Sequence, residues 1–165
     1  MFNDIKLLEV IKILHKISKL EYSQITPFIF IGTNACCQTH FDKDLLKHKI
    51  EADISLEYEH LDAPWGVKYF LWIPTKNHTT PTQKQLILGA YVLRQLVNSR
   101  IKTYTHCEHG HGRAPTLVAA YFISIGKSLK EAISLIKKER PSIHLEKVQI
   151  NALRKFAKEV KNGKI

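Results

Sequence analysis

The organisation of this chain follows from residues 101–125, whose centre reads His106-Cys107-Glu108-His109-Gly110-His111-Gly112-Arg113-Ala114-Pro115-Thr116. Before this centre, residues 101–105 have the composition of a short buried strand, and after it residues 117–125 are almost wholly apolar over the length of a helix. A strand, a loop with glycines and a helix build an anion site, because successive backbone N–H groups converge on one point and the helix dipole adds positive charge. A thiol at the mouth of that loop should ionise readily. The sequence therefore predicts that Cys107 is a thiolate nucleophile that faces a bound oxyanion.

This stretch resembles the phosphate-binding loop of the cysteine-dependent protein tyrosine phosphatase superfamily, in its small dual-specificity branch. The family pattern is His-Cys, five residues, Arg, and then Ser or Thr. His106, Cys107, Gly110 and Arg113 match this pattern, and Ala114 does not. The resemblance implies that Cys107 attacks phosphorus and forms a cysteinyl-phosphate intermediate, while Arg113 holds two phosphate oxygens with its planar fork. It also implies a mechanism without metal or cofactor.

The resemblance assigns roles to the rest of the loop as well. Backbone N–H groups form the oxyanion cradle, so the predicted substrate-binding residues are Glu108, His109, Gly110, His111, Gly112 and Arg113. His106 orients the loop through hydrogen bonds, and as a buried histidine it also fills space. His109 and His111 either enlarge a positive rim or are only solvated. Ala114 lacks the hydroxyl that helps the family's cysteine sulfur to leave, which predicts slow hydrolysis of the intermediate.

A polar loop, residues 75–81, follows a run of large apolar residues at 67–74. The family carries its general acid in this loop, an Asp that protonates the leaving oxygen, and the resemblance aligns Asn77 with it. An amide cannot exchange a proton at neutral pH, and loss of general acid–base help costs about 10²–10⁴ in rate. Either the chain is weakened, or an Asp was changed to Asn77, or another group substitutes. His78 is the nearest surrogate acid because imidazole titrates near neutral pH, and Asp62 is a more distant one.

The composition is that of one domain in a reducing compartment. A chain of 165 residues with 44% apolar content can build one sizeable core and is short for two. Three cysteines, of which Cys36 and Cys37 are adjacent, do not resemble a disulfide framework, so we expect a cytoplasmic location. Cys36, Cys37 and His40 are a weak metal set, because adjacent cysteines do not easily share a tetrahedral zinc. We expect no transmembrane segment and no signal peptide.

The net charge of +10 is concentrated near the C-terminus. Residues 127–165 carry eleven Lys or Arg and four Asp or Glu, a balance of +7. Such a surface can attract nucleic acid, anionic lipid or an acidic phosphosubstrate, but two Lys-rich solvated helix faces are the simpler and preferred explanation. We expect a phosphorylated protein as the partner, with nucleic acid less favoured. The oligomeric state does not follow from the sequence.

Strands that alternate with helix-length patterns predict one α/β domain with a central, mostly parallel sheet of four or five strands flanked by helices. We expect strands within residues 25–32, 50–56, 67–74 and 101–105, with 67–74 central, and helices at 39–48, 81–98, 117–125, 128–140 and 146–161. Thr80 and Gln83 have the order of a capping box for the second of these helices. An extra amphipathic helix over residues 2–20 is expected to pack on the core, which divides the chain into 1–22 and a catalytic domain at 23–165.

The predicted function is phosphomonoester hydrolysis. The resemblance implies a protein tyrosine or dual-specificity phosphatase that acts on phosphotyrosine with some phosphoserine or phosphothreonine. Two alternatives remain open. One is an RNA 5′-phosphatase, favoured by the basic surface. The other is a phosphate-binding module or substrate trap, which keeps the cradle but turns over poorly because of Asn77 and Ala114.

Overall fold

The computed structural model describes residues 19–163, and their strands form one five-stranded sheet. The strands are β1 (Tyr22–Thr26), β2 (Ile29–Gly32), β3 (Ile50–Glu57), β4 (Tyr69–Thr75) and β5 (Lys102–His106). Their order is β1-β2-β5-β3-β4. β1 and β2 form an antiparallel hairpin, and the other neighbours pair in parallel. The predicted α/β domain with a mostly parallel sheet is therefore confirmed.

The helices cover this sheet. They are α1 (Lys43–Lys47), α2 (Gln83–Asn98), α3 (Arg113–Ser124), α4 (Leu129–Glu139) and α5 (Lys147–Lys161), with a short 3-10 helix at Asn34–Cys36. α3 is buried from Arg113 to Ile123. A helix that is apolar all round must be covered on every side, and α2, α4 and α5 pack against it. Among the described residues, no helix has both the length and the apolar character needed to cross a membrane.

The predicted helix over residues 2–20 lies almost wholly outside the described residues. The three residues 19–21 are not helical. Tyr22, the last residue of the predicted unit 1–22, is the first residue of β1. The packing of the N-terminal segment on the core stays a prediction.

The first turn of α2 differs from the prediction. Thr82 accepts a hydrogen bond from the Gln85 backbone, and the Gln85 side chain accepts one from the Thr82 backbone. The capping box is thus two residues later than the predicted pair Thr80 and Gln83. The Gln83 side chain instead donates to the carbonyl of Ala152 on α5 at 3.0 Å, so it does not reach back to the helix start. Because the Gln83 side chain is held by Ala152, it cannot complete a capping box with Thr80, and Thr82 and Gln85 form the capping box of α2.

β4 is an edge strand, so its predicted central position is wrong. Tyr69, Phe70 and Trp72 are 40–49% exposed, since only one side of β4 pairs with another strand, β3. The Trp72 indole N–H donates to the carbonyl of Glu57 at 2.7 Å, which anchors the ring over the end of β3. A continuous apolar run does not by itself distinguish an edge from a centre.

The segment between β2 and β3 is also less helical than predicted. α1 has only five residues, and the Asp42 carboxylate caps it by accepting hydrogen bonds from two backbone N–H groups. Before it, Cys36 and Cys37 form a disulfide between adjacent residues, which the sequence did not predict. His40 is exposed and bonds to Thr39, away from both cysteines. The weak metal set of Cys36, Cys37 and His40 is therefore not assembled.

The register of the parallel strands positions the site. His106, the last residue of β5, pairs with Gly32 of β2 on one side and with Ser55 of β3 on the other. The residues after these three positions emerge together at the carboxyl edge of the sheet, where open α/β sheets bind ligands.

Candidate active site

The loop between β5 and α3, residues 107–112, needs its two glycines for space. Gly110 has φ +66°, and a Cβ there would lie 2.5 Å from the carbonyl oxygen of Gly32. A Cβ on Gly112 would lie 2.9 Å from the side-chain nitrogen of Gln149. A side chain at position 110 would force the loop away from β2, whereas one at position 112 would have to displace the end of the Gln149 side chain. The loop therefore closes tightly against β2 and α5 and delivers the chain into the first turn of α3 at Arg113.

One cavity brings most of the predicted site residues together. It is lined by Asn77, His78, Cys107, His109, His111, Gly112, Arg113, His144, Glu146 and Gln149. Cys107 and Arg113 are each only 3% exposed. Glu108 and Gly110 do not line the cavity, although they belong to its loop, and His106 lies beneath it with no exposure. Asp62 is away from the cavity and faces His106.

The Arg113 guanidinium is fixed on one side by two acceptors. Its Nη1 donates to Glu59 Oε2 and to the carbonyl oxygen of Thr75, each at 2.7 Å. Its Nη2 lies 3.9 Å from the carboxylate of Glu108. A planar fork that is held on one edge keeps its orientation toward the cavity, where it can bind two oxygens of a phosphate.

Glu59 is a functional residue that the sequence analysis missed. One of its oxygens binds Arg113, and the other accepts the backbone N–H of Asn77 at 2.9 Å. Burial acts to raise the pKa of Glu59, but the hydrogen bonds from Arg113 and Asn77 and the charge of Arg113 outweigh it and hold the pKa below 4.5. The position of Glu59 in the sequence could have indicated this role. It follows the carboxyl end of β3, and open α/β sheets bind their ligands at that edge.

Asn77 and His78 belong to the polar loop of residues 75–81, and both lie at the mouth of the cavity. The side-chain nitrogen Nδ2 of Asn77 lies 3.5 Å from Glu108 Oε2. The side-chain oxygen of Asn77 accepts a hydrogen bond from the backbone N–H of His78. His78 has φ +58°, and its Nδ1 is 2.8 Å from Glu146 Oε1. The His78 imidazole and the Glu146 carboxylate therefore form a pair at the cavity mouth. Of the two predicted surrogate acids, only His78 is in the cavity.

His106 faces away from the loop. Its Nε2 is 3.4 Å from Asp53 Oδ1, 3.7 Å from Asp62 Oδ2 and 3.4 Å from Cys37 Sγ. Burial acts to lower the pKa of His106, but the nearby carboxylates, with Asp53 the strongest, outweigh it and raise the pKa above 6.5. Among residues 19–163, its Nδ1 has no hydrogen-bond partner. The predicted hydrogen bonds from this ring to the loop are therefore absent from the described part of the chain.

Arg140 braces the loop instead. It is 4% exposed, and it donates from Nε to the carbonyl of Gly110 at 3.0 Å and from Nη2 to the carbonyl of His109 at 3.1 Å. From the sequence, Arg140 was predicted only as the last residue of the helix at 128–140. The rings of His111 and His144 lie 5.2 Å apart at the cavity rim. Burial, followed by the charge of Arg140, lowers the pKa of His111 below 6.5.

Comparison with known proteins agrees with this geometry. The model of the dual specificity phosphatase catalytic domain matches residues 29–159. A segment of 58 residues is 41% identical to human phosphatidylglycerophosphatase and protein-tyrosine phosphatase 1, and it covers 34% of this chain and 29% of that protein. The mouse protein matches equally, with 30% of its length covered.

Solved structures share the fold. The crystal structure of PTPMT1 superposes with a TM-score of 0.73 at 24% identity, over 87% of this chain and 98% of that one. Human DUSP28 superposes with a TM-score of 0.78 at 15% identity, over 86% of this chain and 99% of that one. The family match spans most of the chain and includes Asn77, Cys107 and Arg113. The chain therefore belongs to the dual specificity phosphatase family of the cysteine-dependent protein tyrosine phosphatase superfamily.

Proposed function

We propose that this chain hydrolyses phosphomonoesters through a cysteinyl-phosphate intermediate on Cys107, with a slow release step. The observation that carries the proposal is the shared cavity of Cys107 and Arg113 at the start of α3. There the thiolate can attack phosphorus while the loop N–H groups and the free edge of the Arg113 fork bind the equatorial oxygens. A sulfur–phosphorus bond forms, and the ester oxygen leaves with the electron pair of its bond to phosphorus.

Protonation of the leaving oxygen falls to His78 in this proposal. Asn77 lies at the expected acid position but has no proton to give at neutral pH. His78 is its neighbour, lines the same cavity and is paired with Glu146. The protonated ring can donate to the leaving oxygen, and the neutral ring can then take a proton from the attacking water.

Hydrolysis of the intermediate lacks a hydroxyl next to the sulfur. Ala114 is buried in the first turn of α3 and offers only a methyl group. Thr116, the nearest hydroxyl downstream, donates to the carbonyl oxygen of Gly112 at 2.8 Å, so it is turned along the helix. The sulfur therefore leaves without help from either side chain. This supports a fast first turnover that is followed by slower steady-state turnover.

The proposed substrate is a phosphorylated protein, with phosphotyrosine preferred. A second candidate is a lipid phosphomonoester, because the curated human and mouse relatives are named for a phosphatidylglycerophosphatase activity as well as a protein-tyrosine phosphatase activity. Initial rates on a phosphotyrosine peptide, on a phosphomonoester lipid in mixed micelles and on 5′-phosphorylated RNA separate these classes. A higher rate on the lipid than on the peptide would mean that a lipid phosphomonoester, and not a phosphorylated protein, is the preferred substrate.

The reaction class is tested with a small aryl phosphate. Cys107→Ser should abolish turnover, because a hydroxyl is a far weaker nucleophile than a thiolate. Arg113→Lys should lower turnover by about 10²-fold or more, since it loses the bidentate fork. Arg154→Lys, on the exposed face of α5, is the matched control and should keep the native rate. Turnover that survives Cys107→Ser would refute the cysteinyl-phosphate route.

The alternative of a binding module gives a different result. A chain that only binds phosphate would show no turnover with Cys107 intact but would still bind vanadate or a phosphopeptide. Calorimetric titration of the native chain with each of them, beside the turnover assay, distinguishes a trap from an enzyme. Binding without any burst of product would favour the module.

A further inference from the structure

Beneath the phosphate-binding loop lies a buried polar cluster that the proposed reaction does not use. Its members are the carboxylates of Asp53, Glu57 and Asp62 and the imidazole of His106. Asp53, Glu57 and His106 are at most 1% exposed, and Asp62 is 8% exposed. Three acidic groups around one basic group is an unusual content for a protein interior, because buried charges are normally paired.

Several polar atoms of this cluster have no hydrogen-bond partner among the described residues, although His106 forms ion pairs with Asp53 and Asp62. Within residues 19–163, both oxygens of Asp53, one oxygen each of Glu57 and Asp62, and Nδ1 of His106 make no hydrogen bond. Buried polar groups are almost always satisfied by protein, water or an ion. The few bonds that exist satisfy only part of the cluster, such as that from the Asn34 amide to the other oxygen of Glu57 at 2.9 Å. The unpartnered atoms point to a ligand that supplies positive charge.

The spacing of the donor atoms fits a small cation. His106 Nε2 lies 3.7 Å from Asp62 Oδ2. Asp53 Oδ1 is 3.4 Å from the same nitrogen, but Asp53 does not share one set of donor atoms with Glu57 and Asp62. Ligand atoms at the corners of a tetrahedral zinc site are roughly 3.3–3.8 Å apart, given bonds of about 2.0–2.3 Å. Ligand atoms of Glu57, Asp62 and His106 also all lie within 4.8 Å of one another.

We propose that this cluster binds one divalent cation of the zinc type, with His106 and the carboxylates of Glu57 and Asp62 supplying its ligands. Nitrogen and oxygen donors together suit a borderline transition-metal ion better than magnesium, which prefers oxygen ligands and keeps its water. A divalent ion offsets two of the three carboxylate charges. Asp62 lies on the segment 58–68, which contains no helix or strand and offers a route for the ion.

Cys37 is a neighbour of this site and not one of its required ligands. Its sulfur is 3.4 Å from His106 Nε2, but it is bonded to Cys36. The oxygen and nitrogen donors therefore carry the site whether or not the disulfide is present. The ion would lie on the far side of His106 from the substrate, so its role is to hold the residue that precedes Cys107, and the chemistry at phosphorus does not pass through it.

The test is zinc retention by the whole chain. Protein treated with EDTA is loaded with Zn²⁺ alone, separated from free metal by gel filtration and analysed for zinc by mass spectrometry. We expect one ion per chain and a higher Tm after loading. Glu57→Gln should weaken zinc binding about ten-fold or more, because it removes one of the three ligands. Asp44→Asn, an exposed carboxylate paired with Lys47, is the control and should bind as the native chain does.

The rim histidines His111 and His144 are the competing zinc site. Their double substitution to Asn should leave zinc retention unchanged. Loss of zinc in that variant, or no retention by the native chain, overturns the proposal. So does retention that appears only after a dithiol reductant opens the disulfide, because the thiolates would then be the ligands. If the Glu57→Gln variant is unfolded by circular dichroism, zinc content and Tm are measured on Asp62→Asn instead, and unchanged zinc retention in that variant overturns the proposal.

Discussion

Asn77 is the residue that most limits the first chemical step. We expect Asn77→Asp to raise kcat/KM on an alkyl phosphate about ten-fold or more, because kcat/KM reports the first chemical step and a carboxyl can protonate the leaving oxygen. The Glu108 carboxylate, 3.5 Å from the present amide, would raise the pKa of the new Asp and keep it protonated closer to neutral pH. Asn151→Asp, on the exposed surface of α5, is the control. An unchanged kcat/KM in Asn77→Asp would show that protonation does not limit the first chemical step.

His78 is predicted to matter only while Asn77 is present. His78→Gln should lower kcat about ten-fold for an alkyl phosphate, whose leaving oxygen needs a proton, and much less for an activated aryl phosphate. In the Asn77→Asp background the same substitution should have little effect. His40→Gln, at an exposed position away from the cavity, checks for general effects of losing an imidazole. Equal losses on both substrates would remove His78 from the acid role.

At the scale of the element, the start of α2 offers a direct test of the capping box. Thr82→Ala should lower the free energy of unfolding by about 1 kcal/mol, because the Gln85 backbone N–H loses its side-chain acceptor. Thr80→Ala should cost clearly less, since its hydroxyl only bonds to the adjacent carbonyl of Pro81. Urea unfolding of both variants measures the difference. A larger loss of unfolding free energy in Thr80→Ala than in Thr82→Ala would show that Thr80 caps α2, as predicted from the sequence.

The phosphate-binding loop depends on a second element, through Arg140 at the end of α4. Arg140→Lys keeps the charge but cannot bond to the carbonyls of His109 and Gly110 at once. We expect kcat to fall about ten-fold and the affinity for inorganic phosphate, measured as a competitive inhibitor, to fall with it. Arg94→Lys on the exposed face of α2 should change neither. Normal phosphate affinity in Arg140→Lys would mean that the loop holds its shape unaided.

At the scale of the whole molecule, the sequence predicted what is local and missed what is distant. The strand, loop and helix around Cys107 are contiguous, so spacing and glycines were enough to predict them. Glu59 and Arg140 act on residues 54 and 30 positions away along the chain, and no periodicity encodes such pairs. The edge position of β4 was missed for the same reason, because strand order is a property of the assembled sheet.

Glu59 joins three parts of the molecule, and its pairing predicts how stability depends on pH. It follows β3, binds Arg113 of α3 and accepts the Asn77 N–H after β4. Since its folded pKa lies below 4.5, its contribution is fully present above that pH and is lost as the pH falls through the folded value.

Glu59→Gln should therefore lower the free energy of unfolding by about 1–2 kcal/mol at neutral pH, a value reduced for the partial exposure of the carboxylate. The difference from the native chain should shrink as the pH falls below 4.5, the ordinary value for this group. Urea unfolding at several pH values measures both chains. Glu139→Gln, which removes a surface carboxylate 3.8 Å from Lys138, should stay close to native throughout. A Glu59→Gln deficit that does not depend on pH would mean that the loss comes from packing and that the charge of Glu59 does not stabilise the fold.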